Sequence, residues 1–197
     1  WAVTSILWFL THDVHERRYS RPLDLRWALV ALADGEGSPQ GELVFTVPVA
    51  SLRASTTGPD SDHVWLRLRL STRTSAGRSS PIYDSILRLH LPPSAIPTAA
   101  VIGRFTVPLA PGRVTWIASL QAGDSTGAML TGDTLQVMDT RGQRLALTGL
   151  AFGSEGFAAR WLAPGGDTVV MSPTRVFPRD RPVELYYEVH GLAAGGQ

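Results

Sequence analysis

Arginine is concentrated between His63 and Leu91, a stretch that contains five arginines and one acid, Asp84. A guanidinium binds a carboxylate or a phosphate through two parallel hydrogen bonds, and arginine and tryptophan are enriched among the residues that dominate binding at protein interfaces. This pattern predicts a surface that binds a protein partner or anionic lipid headgroups. Its predicted contact residues are Trp65, Arg67, Arg69, Arg73, Arg78 and Arg88.

The spacing of the first three contact residues predicts how they are positioned. Apolar residues at 64, 66, 68 and 70 alternate with them, which is the period of a strand with one buried face. Trp65, Arg67 and Arg69 are then expected to share the outer face. The alternative interpretation is that these charges only keep an exposed sheet soluble.

A serine motif raises the question of nucleophilic catalysis. Gly123-Asp124-Ser125-Thr126-Gly127 is similar to the Gly-Asp-Ser-Gly-Gly around the nucleophile of chymotrypsin-like proteases, but its last glycine pair is broken. A triad also needs a histidine held by a buried aspartate. The motif lies where a hairpin loop is expected, so we interpret it as a loop.

Two carboxylates, Glu184 and Glu188, flank Tyr186 on one face of a predicted strand. A pair of carboxylates is the catalytic machinery of most glycosidases. The simpler interpretation is that both face water, and we predict no catalytic residue in the chain.

Two short clusters contain residues that bind metals. His12-Asp13-Val14-His15-Glu16 would place its histidines on one face only if it were helical. Asp60-Ser61-Asp62-His63 offers oxygen ligands but lacks the full pattern of an EF-hand loop. Cysteine is absent, which excludes disulfides and thiolate sites. We predict a solvated connector and a polar loop, with no metal and no cofactor.

Alternation of apolar and polar residues recurs along the chain and predicts short strands separated by turns rich in Gly, Pro, Asp and Ser. Four strands are expected before residue 91, and Phe105–Leu109 and Val114–Leu120 are expected to form a hairpin around Pro111-Gly112. Further strands are predicted at 134–138, 145–150, 168–171 and 183–189. No helix of ordinary length is expected.

The densest proline cluster, Leu91–Pro97, predicts a module boundary, because proline interrupts strand pairing and stiffens a connection. The expected fold is all-β, with two tandem antiparallel β-sandwich modules of the immunoglobulin-like type at 21–93 and 98–192. Residues 1–20, which begin with the apolar run Trp1–Leu10, are predicted to form an N-terminal strand or tether. Residues 193–197 are predicted to be a flexible end.

The charge composition disfavours nucleic acid as a partner. All 18 basic residues are arginine, and 17 acids leave a net charge of +1. Such a chain has no overall field that attracts a phosphate backbone. The absence of lysine and asparagine is typical of a GC-rich genome.

The second half, residues 103–192, resembles the β-rich C-terminal region of bacterial proteins that carry a GWxTD domain. The matching stretches are Leu109–Val114, Leu145–Leu150, Ser172-Pro173 and Val183–Leu192. The tetrad that names the family does not occur in the chain. The resemblance implies an exported protein of the bacterial periplasm or cell envelope, and it implies no reaction.

These observations together predict a non-enzymatic, membrane-extrinsic accessory subunit that braces a larger envelope assembly through other protein subunits. A photosynthetic reaction centre with its antenna is one such assembly, since phototrophs are among the lineages in which the resembled family is common. A carbohydrate- or peptide-binding sandwich is the first alternative, because such folds host many recognition functions. An unrecognised hydrolase is the second.

Overall fold

The computed structural model describes residues 19–55, 62–131, 134–141, 144–154, 156, 158–174 and 176–191. Its regular structure is almost entirely β, which confirms the predicted all-β class. The described part contains one helix, α1 (Val49–Arg53), of five residues. The strands are β1 (Arg21–Pro22), β2 (Arg26–Ala33), β3 (Pro39–Pro48), β4 (His63–Thr74), β5 (Tyr83–His90), β6 (Ala100–Pro108), β7 (Gly112–Ala122), β8 (Thr126–Thr131), β9 (Leu135–Val137), β10 (Ala146–Leu147), β11 (Ala151–Gly153), β12 (Ala159–Leu162), β13 (Thr168–Met171), β14 (Glu184–Tyr186) and β15 (Val189–His190).

The chain divides into two compact units, each assembled from separate stretches of sequence. Unit 1 consists of Trp1–Leu25, Val47–Ala100 and Thr115–Asp133, and unit 2 consists of Arg26–Thr46, Val101–Val114 and Thr134–Gln197. The boundaries predicted for the two modules, 21–93 and 98–192, stay predictions. The predicted terminal segments fall largely outside the described residues, which begin at Tyr19 and end at Gly191.

Unit 1 contains a sheet with the strand order β1-β8-β7-β4-β5. Strand β4 alternates as predicted, with the side chains at 64, 66, 68 and 70 at most 1% exposed and the intervening ones half-buried. Strand β5 pairs antiparallel with β4, from His63 opposite His90 to Leu70 opposite Tyr83. Strands β1 and β8 pair in parallel over two residues, an exception to the predicted antiparallel pairing.

Unit 2 contains the three-stranded sheet β2-β3-β6. Both faces of β3 are covered, because the consecutive residues Leu43, Val44 and Phe45 are all 0% exposed. The Phe45 ring stacks on Phe105 with a centroid separation of 5.5 Å. On the opposite face a buried cluster consists of Val30, Leu32, Val44, Ala151, Ala163, Val169 and Met171.

The hairpin predicted around Pro111-Gly112 is wrong. Strand β6 pairs with β3, whereas β7 lies between β8 and β4, so β6 and β7 belong to different sheets. The N–H of Leu109 still donates to the carbonyl oxygen of Pro39 at 3.3 Å, which extends the β6 pairing with β3 up to the turn. Gly112 then adopts a φ of 112°, a conformation that glycine tolerates and that redirects the chain.

Unit 2 also contains three two-stranded sheets, in which β10 pairs with β15, β11 with β14 and β12 with β13. Strand β9 pairs with Gly112–Val114 at the beginning of β7. The predicted strand at 168–171 is thus confirmed as β13. The predicted strand at 183–189 is present as two shorter strands that Tyr187 and Glu188 separate.

Candidate functional site

The predicted contact residues on β4 lie together on the outer face of the β4–β5 hairpin in unit 1. Successive strand residues point to opposite faces, so burial of the even-numbered positions leaves Trp65, Arg67 and Arg69 on the outside. All three are half-buried. We call this surface the arginine face and define it by Trp65, Arg67, Arg69, Asp84, Ile86 and Arg88.

Strand β5 brings Arg88 to the arginine face. Trp65 lies opposite Arg88, and Arg67 lies opposite Ile86; directly opposed residues project on the same side of a sheet. Arg88 is exposed, and Ile86 is 55% exposed. The face therefore combines an aromatic ring, an aliphatic side chain and a guanidinium, which are groups that recur in the core of protein interfaces.

Asp84 neutralises part of the charge on the arginine face. Arg67 donates from Nε to Oδ1 of Asp84 at 2.7 Å and from Nη2 to Oδ2 at 2.5 Å. Arg69 donates from Nε to Oδ2 at 3.3 Å. These contacts, that of Arg67 above all, hold the pKa of Asp84 below its ordinary value. Within the described part of the chain Arg88 forms no ion pair, so among the arginines of this face it is the one whose charge Asp84 does not neutralise.

The other two predicted contact residues lie at the closed end of the hairpin. Arg73 forms an isolated bridge with Ser79, and the N–H of Thr74 donates to the carbonyl oxygen of Arg78 at 2.8 Å. Both arginines are exposed. The structure therefore brings Trp65, Arg67, Arg69 and Arg88 together and leaves Arg73 and Arg78 at the turn.

The open end of the hairpin carries two histidines that the sequence analysis did not connect. His63 lies opposite His90, with a ring centroid separation of 5.0 Å, and both are exposed. Two imidazoles are fewer than the three or four protein ligands of a zinc site. No group of three or more His, Asp or Glu that could hold a metal occurs among the described residues. The absence of a stoichiometric metal stays a prediction, which metal analysis of the purified protein tests.

Unit 2 contains a buried carboxylate that sequence reasoning missed. Glu42 is 1% exposed. Arg104 donates from Nη1 to Oε2 at 3.1 Å, Thr106 donates its hydroxyl to Oε2 at 3.1 Å, and Gln40 donates from Nε2 to Oε1 at 3.2 Å. The guanidinium of Arg104 also lies 4.8 Å from the centre of the Trp161 ring. These partners are the reason that the carboxylate is tolerated inside the unit.

Burial raises the pKa of Glu42, while Arg104 and Thr106 act in the opposite direction. A carboxylate with so little exposed surface cannot reach a substrate in this conformation. We therefore interpret Glu42 as a structural group that fixes β3 against β6.

We expect Glu42→Gln to change the pH dependence of stability. Because the folded pKa of Glu42 is raised above its ordinary value of 4.5, the folded wild-type protein holds this proton more tightly than the unfolded chain, and stability falls as the pH rises from that value through the folded pKa. Glutamine does not titrate. The unfolding free energy of the variant minus that of the wild type should therefore increase as the pH rises above about 4.5, measured by urea unfolding at a series of pH values. A flat or decreasing difference would exclude the raised pKa.

Glu188 is a second hydrogen-bonded carboxylate in unit 2, and it corrects an expectation from the sequence. It was expected to face water together with Glu184, but its side chain is only 14% exposed. Its Oε2 accepts from the backbone N–H of Ala33 at 2.8 Å and lies 3.3 Å from Nε2 of His190, and its Oε1 accepts from the Tyr186 hydroxyl at 2.9 Å. Burial, together with this carboxylate, raises the pKa of Tyr186. Glu184 is exposed, so the two carboxylates do not form a matched pair.

The remaining sequence motifs have simple structural counterparts. Gly123–Ser125 forms the turn between β7 and β8, with Ala122 opposite Thr126, as predicted for a hairpin loop. Residues 12–16 and residues 60 and 61 lie outside the described residues, so the two metal-binding interpretations stay untested there. Among the described residues no helix has the length and apolar character needed to cross a membrane.

Comparisons with protein-family models, with curated proteins and with solved structures find no match for this chain. The resemblance to the GWxTD-domain proteins is therefore still a prediction from the sequence.

Proposed function

We propose that the chain is a non-enzymatic interaction module, a membrane-extrinsic accessory subunit that braces a larger assembly of the bacterial envelope. The observation that supports this function is the arginine face. It places Trp65, Ile86 and Arg88 next to one another on the outer side of one hairpin. Side chains of these types bind well when a partner covers them and supplies acceptors for the guanidinium.

The partner that fits this face is a protein surface that carries carboxylates or backbone carbonyl groups. Two arginines already share Asp84, so the attraction left for a partner is modest and comes mainly from Arg88. Burial of Trp65 and Ile86 would supply the apolar part of the binding energy. Anionic lipid headgroups are the other source of acceptors. If they are the partner, the purified chain should bind protein-free lipid vesicles only when the vesicles contain phosphatidylglycerol.

The internal ion pairs determine which variants test this function cleanly. Replacing Arg67 and Arg69 by glutamate would put three carboxylates together, because Asp84 lies within hydrogen-bonding distance of both. The triple variant Arg67→Glu, Arg69→Glu, Asp84→Arg keeps opposite charges paired while it reverses the pattern that a partner meets. It therefore separates loss of binding from loss of folding.

We expect Arg88→Glu and the triple variant each to weaken binding to stripped envelope membranes at least about tenfold, while the melting temperature changes little, since exposed charges contribute about 1 kcal/mol or less. Binding is measured by sedimentation with the purified chain.

Arg88→Lys keeps the positive charge but loses the planar guanidinium, which can form two parallel hydrogen bonds. An affinity between those of the wild type and Arg88→Glu would therefore indicate bidentate recognition. Arg179→Glu, at an exposed position in unit 2, is the matched control for the change in charge. Equal binding of Arg88→Glu and Arg179→Glu would refute the proposed face.

The finer architecture, two tandem immunoglobulin-like sandwiches, is also a proposal. The many short strands joined by turns support it. Unit 2 includes Arg26–Thr46, so a fragment of residues 98–192 lacks β2 and also β3, the strand that pairs with β6. Circular dichroism and thermal unfolding of that fragment distinguish a module that folds alone from one that needs the earlier strands.

A further inference from the structure

Two of the two-stranded sheets of unit 2, β10–β15 and β11–β14, follow one another along the same two stretches of chain, and we call the pair the ribbon. The pairing is antiparallel, with Leu147 opposite Val189 and Phe152 opposite Leu185. Opposed residues lie on the same side of the ribbon. Leu147 therefore shares a side with Val189, and Phe152 shares a side with Leu185. All four are exposed, whereas their neighbours at 146, 151, 186 and 190 are buried or half-buried, so we assign the four to one outer side, which we call the ribbon face.

A β-bulge keeps the apolar residues of the first strand on the ribbon face. Thr148 N–H donates to the carbonyl oxygen of Glu188 at 3.0 Å, and Ala151 lies opposite Tyr186. Two residues, Gly149 and Leu150, therefore oppose Tyr187 alone, which is the arrangement of a bulge. As a result Leu150 joins the ribbon face, as does Tyr187 from the other strand.

The bulge also attaches the ribbon to β2. Gly149 N–H donates to the carbonyl oxygen of Ala31 at 2.8 Å, and a Cβ at Gly149 would lie 2.7 Å from a methyl carbon of Val30. The ribbon thus has a fixed inner side against β2. On that side Ala146, Thr148 and Ala151 are buried.

The outer side is unusually apolar for a surface that meets solvent. Its six residues are each 42% to 51% exposed, and none is charged. Leu145 and Val183, which precede the two strands, add a 69% and a 45% exposed side chain. The six residues of the ribbon face are Leu147, Leu150, Phe152, Leu185, Tyr187 and Val189.

The area of this surface is close to what a stable dimer uses. A half-exposed side chain of this size leaves on the order of 80 Å² accessible, so the six residues and their two neighbours leave roughly 600 Å². That is the upper end of the apolar patches found on monomers, and it approaches the about 800 Å² that each partner buries in a standard interface.

The composition favours a second copy of the chain over a lipid surface. Homodimer interfaces are more apolar than other interfaces and depleted of charge, and an uncharged face does not repel its own copy. A membrane surface would instead favour a basic rim. The exposed charges close to the ribbon strands in sequence have both signs, with Arg144 and Arg181 accompanied by Asp180 and Glu184.

We infer that the ribbon face is an interface between two copies of this chain. Each copy contributes the same side chains, so the contact is symmetric and closes after two subunits. The inference does not depend on the arginine face, which lies in unit 1.

The association state of the full chain and of two matched variants tests this interface. We expect the wild-type protein to dimerise at micromolar concentration in analytical ultracentrifugation, and Leu185→Glu to raise the dissociation constant at least about tenfold, because a charge would be buried in an apolar contact. Leu162→Glu is the matched control, since Leu162 is 73% exposed and lies on β12, outside the ribbon face. It should dimerise like the wild type.

Cysteine cross-linking provides a measurement that does not require a disruptive substitution. The chain contains no cysteine, so Tyr187→Cys or Leu162→Cys carries a single thiol. Oxidation should link Tyr187→Cys into a covalent dimer several times faster than Leu162→Cys.

A wild-type monomer at about 100 µM, equal dissociation constants for the two glutamate variants, or equal cross-linking rates would overturn the proposal. So would a monomer that binds neutral lipid vesicles and loses this binding in Leu185→Glu, since the occupant would then be a membrane.

Discussion

Gly153→Ala is expected to lower the free energy of unfolding by about 3 kcal/mol. A methyl group at this position would lie 2.3 Å from the carbonyl oxygen of Val170 and 2.5 Å from its carbonyl carbon. These are backbone atoms, so they cannot rotate away as the end of a side chain can. Strands β11 and β13 would have to separate, which would strain the bond from Ser172 N–H to the carbonyl oxygen of Phe152, now 2.8 Å long. Urea unfolding followed by circular dichroism measures the loss.

The control for this prediction is Gly165→Ala in the turn between β12 and β13. A Cβ at Gly165 would come no closer than 4.0 Å to another atom, the Oδ2 of Asp167. Gly165 has no positive φ, so alanine is compatible with its backbone. Replacing glycine by alanine lowers the conformational entropy of the unfolded chain, so the free energy of unfolding is expected to stay unchanged or to rise by up to about 1 kcal/mol. Equal effects at the two positions would show that β11 and β13 are farther apart than described.

Glu188→Ala is expected to lower the free energy of unfolding by about 2 to 3 kcal/mol. The substitution removes the acceptor of the Ala33 N–H and of the Tyr186 hydroxyl. Ala33 is 1% exposed, so water does not readily replace the carboxylate there. The loss should appear as a lower urea midpoint with an unchanged slope, because the surface area exposed on unfolding does not change.

Glu188→Gln tests whether the hydrogen bonds or the charge matter at this position. Glutamine keeps a carbonyl oxygen that can accept from Ala33 N–H, so the loss should be about 1 kcal/mol. If Glu188→Ala were no more destabilising than Glu188→Gln, the contact between Glu188 and Ala33 would contribute nothing measurable to the fold.

The sequence predicted most where a pattern is local. Strand β4 was predicted with the correct inner and outer faces, because its alternation depends on the period of the strand and on nothing else. Its pairing with β5 was not predicted, since the register depends on the turn at 75–82. That register places Arg88 beside Trp65. It also places Asp84 where both Arg67 and Arg69 can reach it.

Glu42 was missed because both faces of β3 are covered. The alternation of Leu43 and Phe45 predicts a core face and leaves Glu42 on the other side, which would be solvated in a single exposed sheet. The residues that satisfy it, Arg104 and Thr106, are 62 and 64 positions away in sequence. A contact of that separation leaves no local signal.

The failed β6–β7 hairpin has a related cause. Turn residues between two apolar stretches predict that the chain reverses, but they do not determine which strand each stretch pairs with. Strand β6 finds its partner in β3, earlier in the chain. The ribbon face has the same origin: Leu145–Leu150 and 183–189 were predicted as strands, while the exposure of their apolar side became visible only with the packing of the inner side against β2.

The two proposed surfaces would act together in an accessory subunit. A symmetric dimer through the ribbon face carries two arginine faces, and two linked contacts bind more tightly than one when both can be engaged at once. Weak attraction at each arginine face would then be sufficient for stable assembly. Dimer-disrupting variants are accordingly expected to weaken assembly as well, without any change in the arginine face.

Arginine footprinting of the native complex tests the proposed function most directly. Phenylglyoxal reacts with exposed guanidinium groups, and mass spectrometry reports the modification of each arginine in native envelope membranes and in the purified chain. We predict that modification of Arg88 falls several-fold in the membranes while that of Arg179, exposed in unit 2, stays the same. Equal modification of Arg88 in both samples would contradict a partner on the arginine face, and the charges of β4 and β5 would then serve only to keep the sheet soluble.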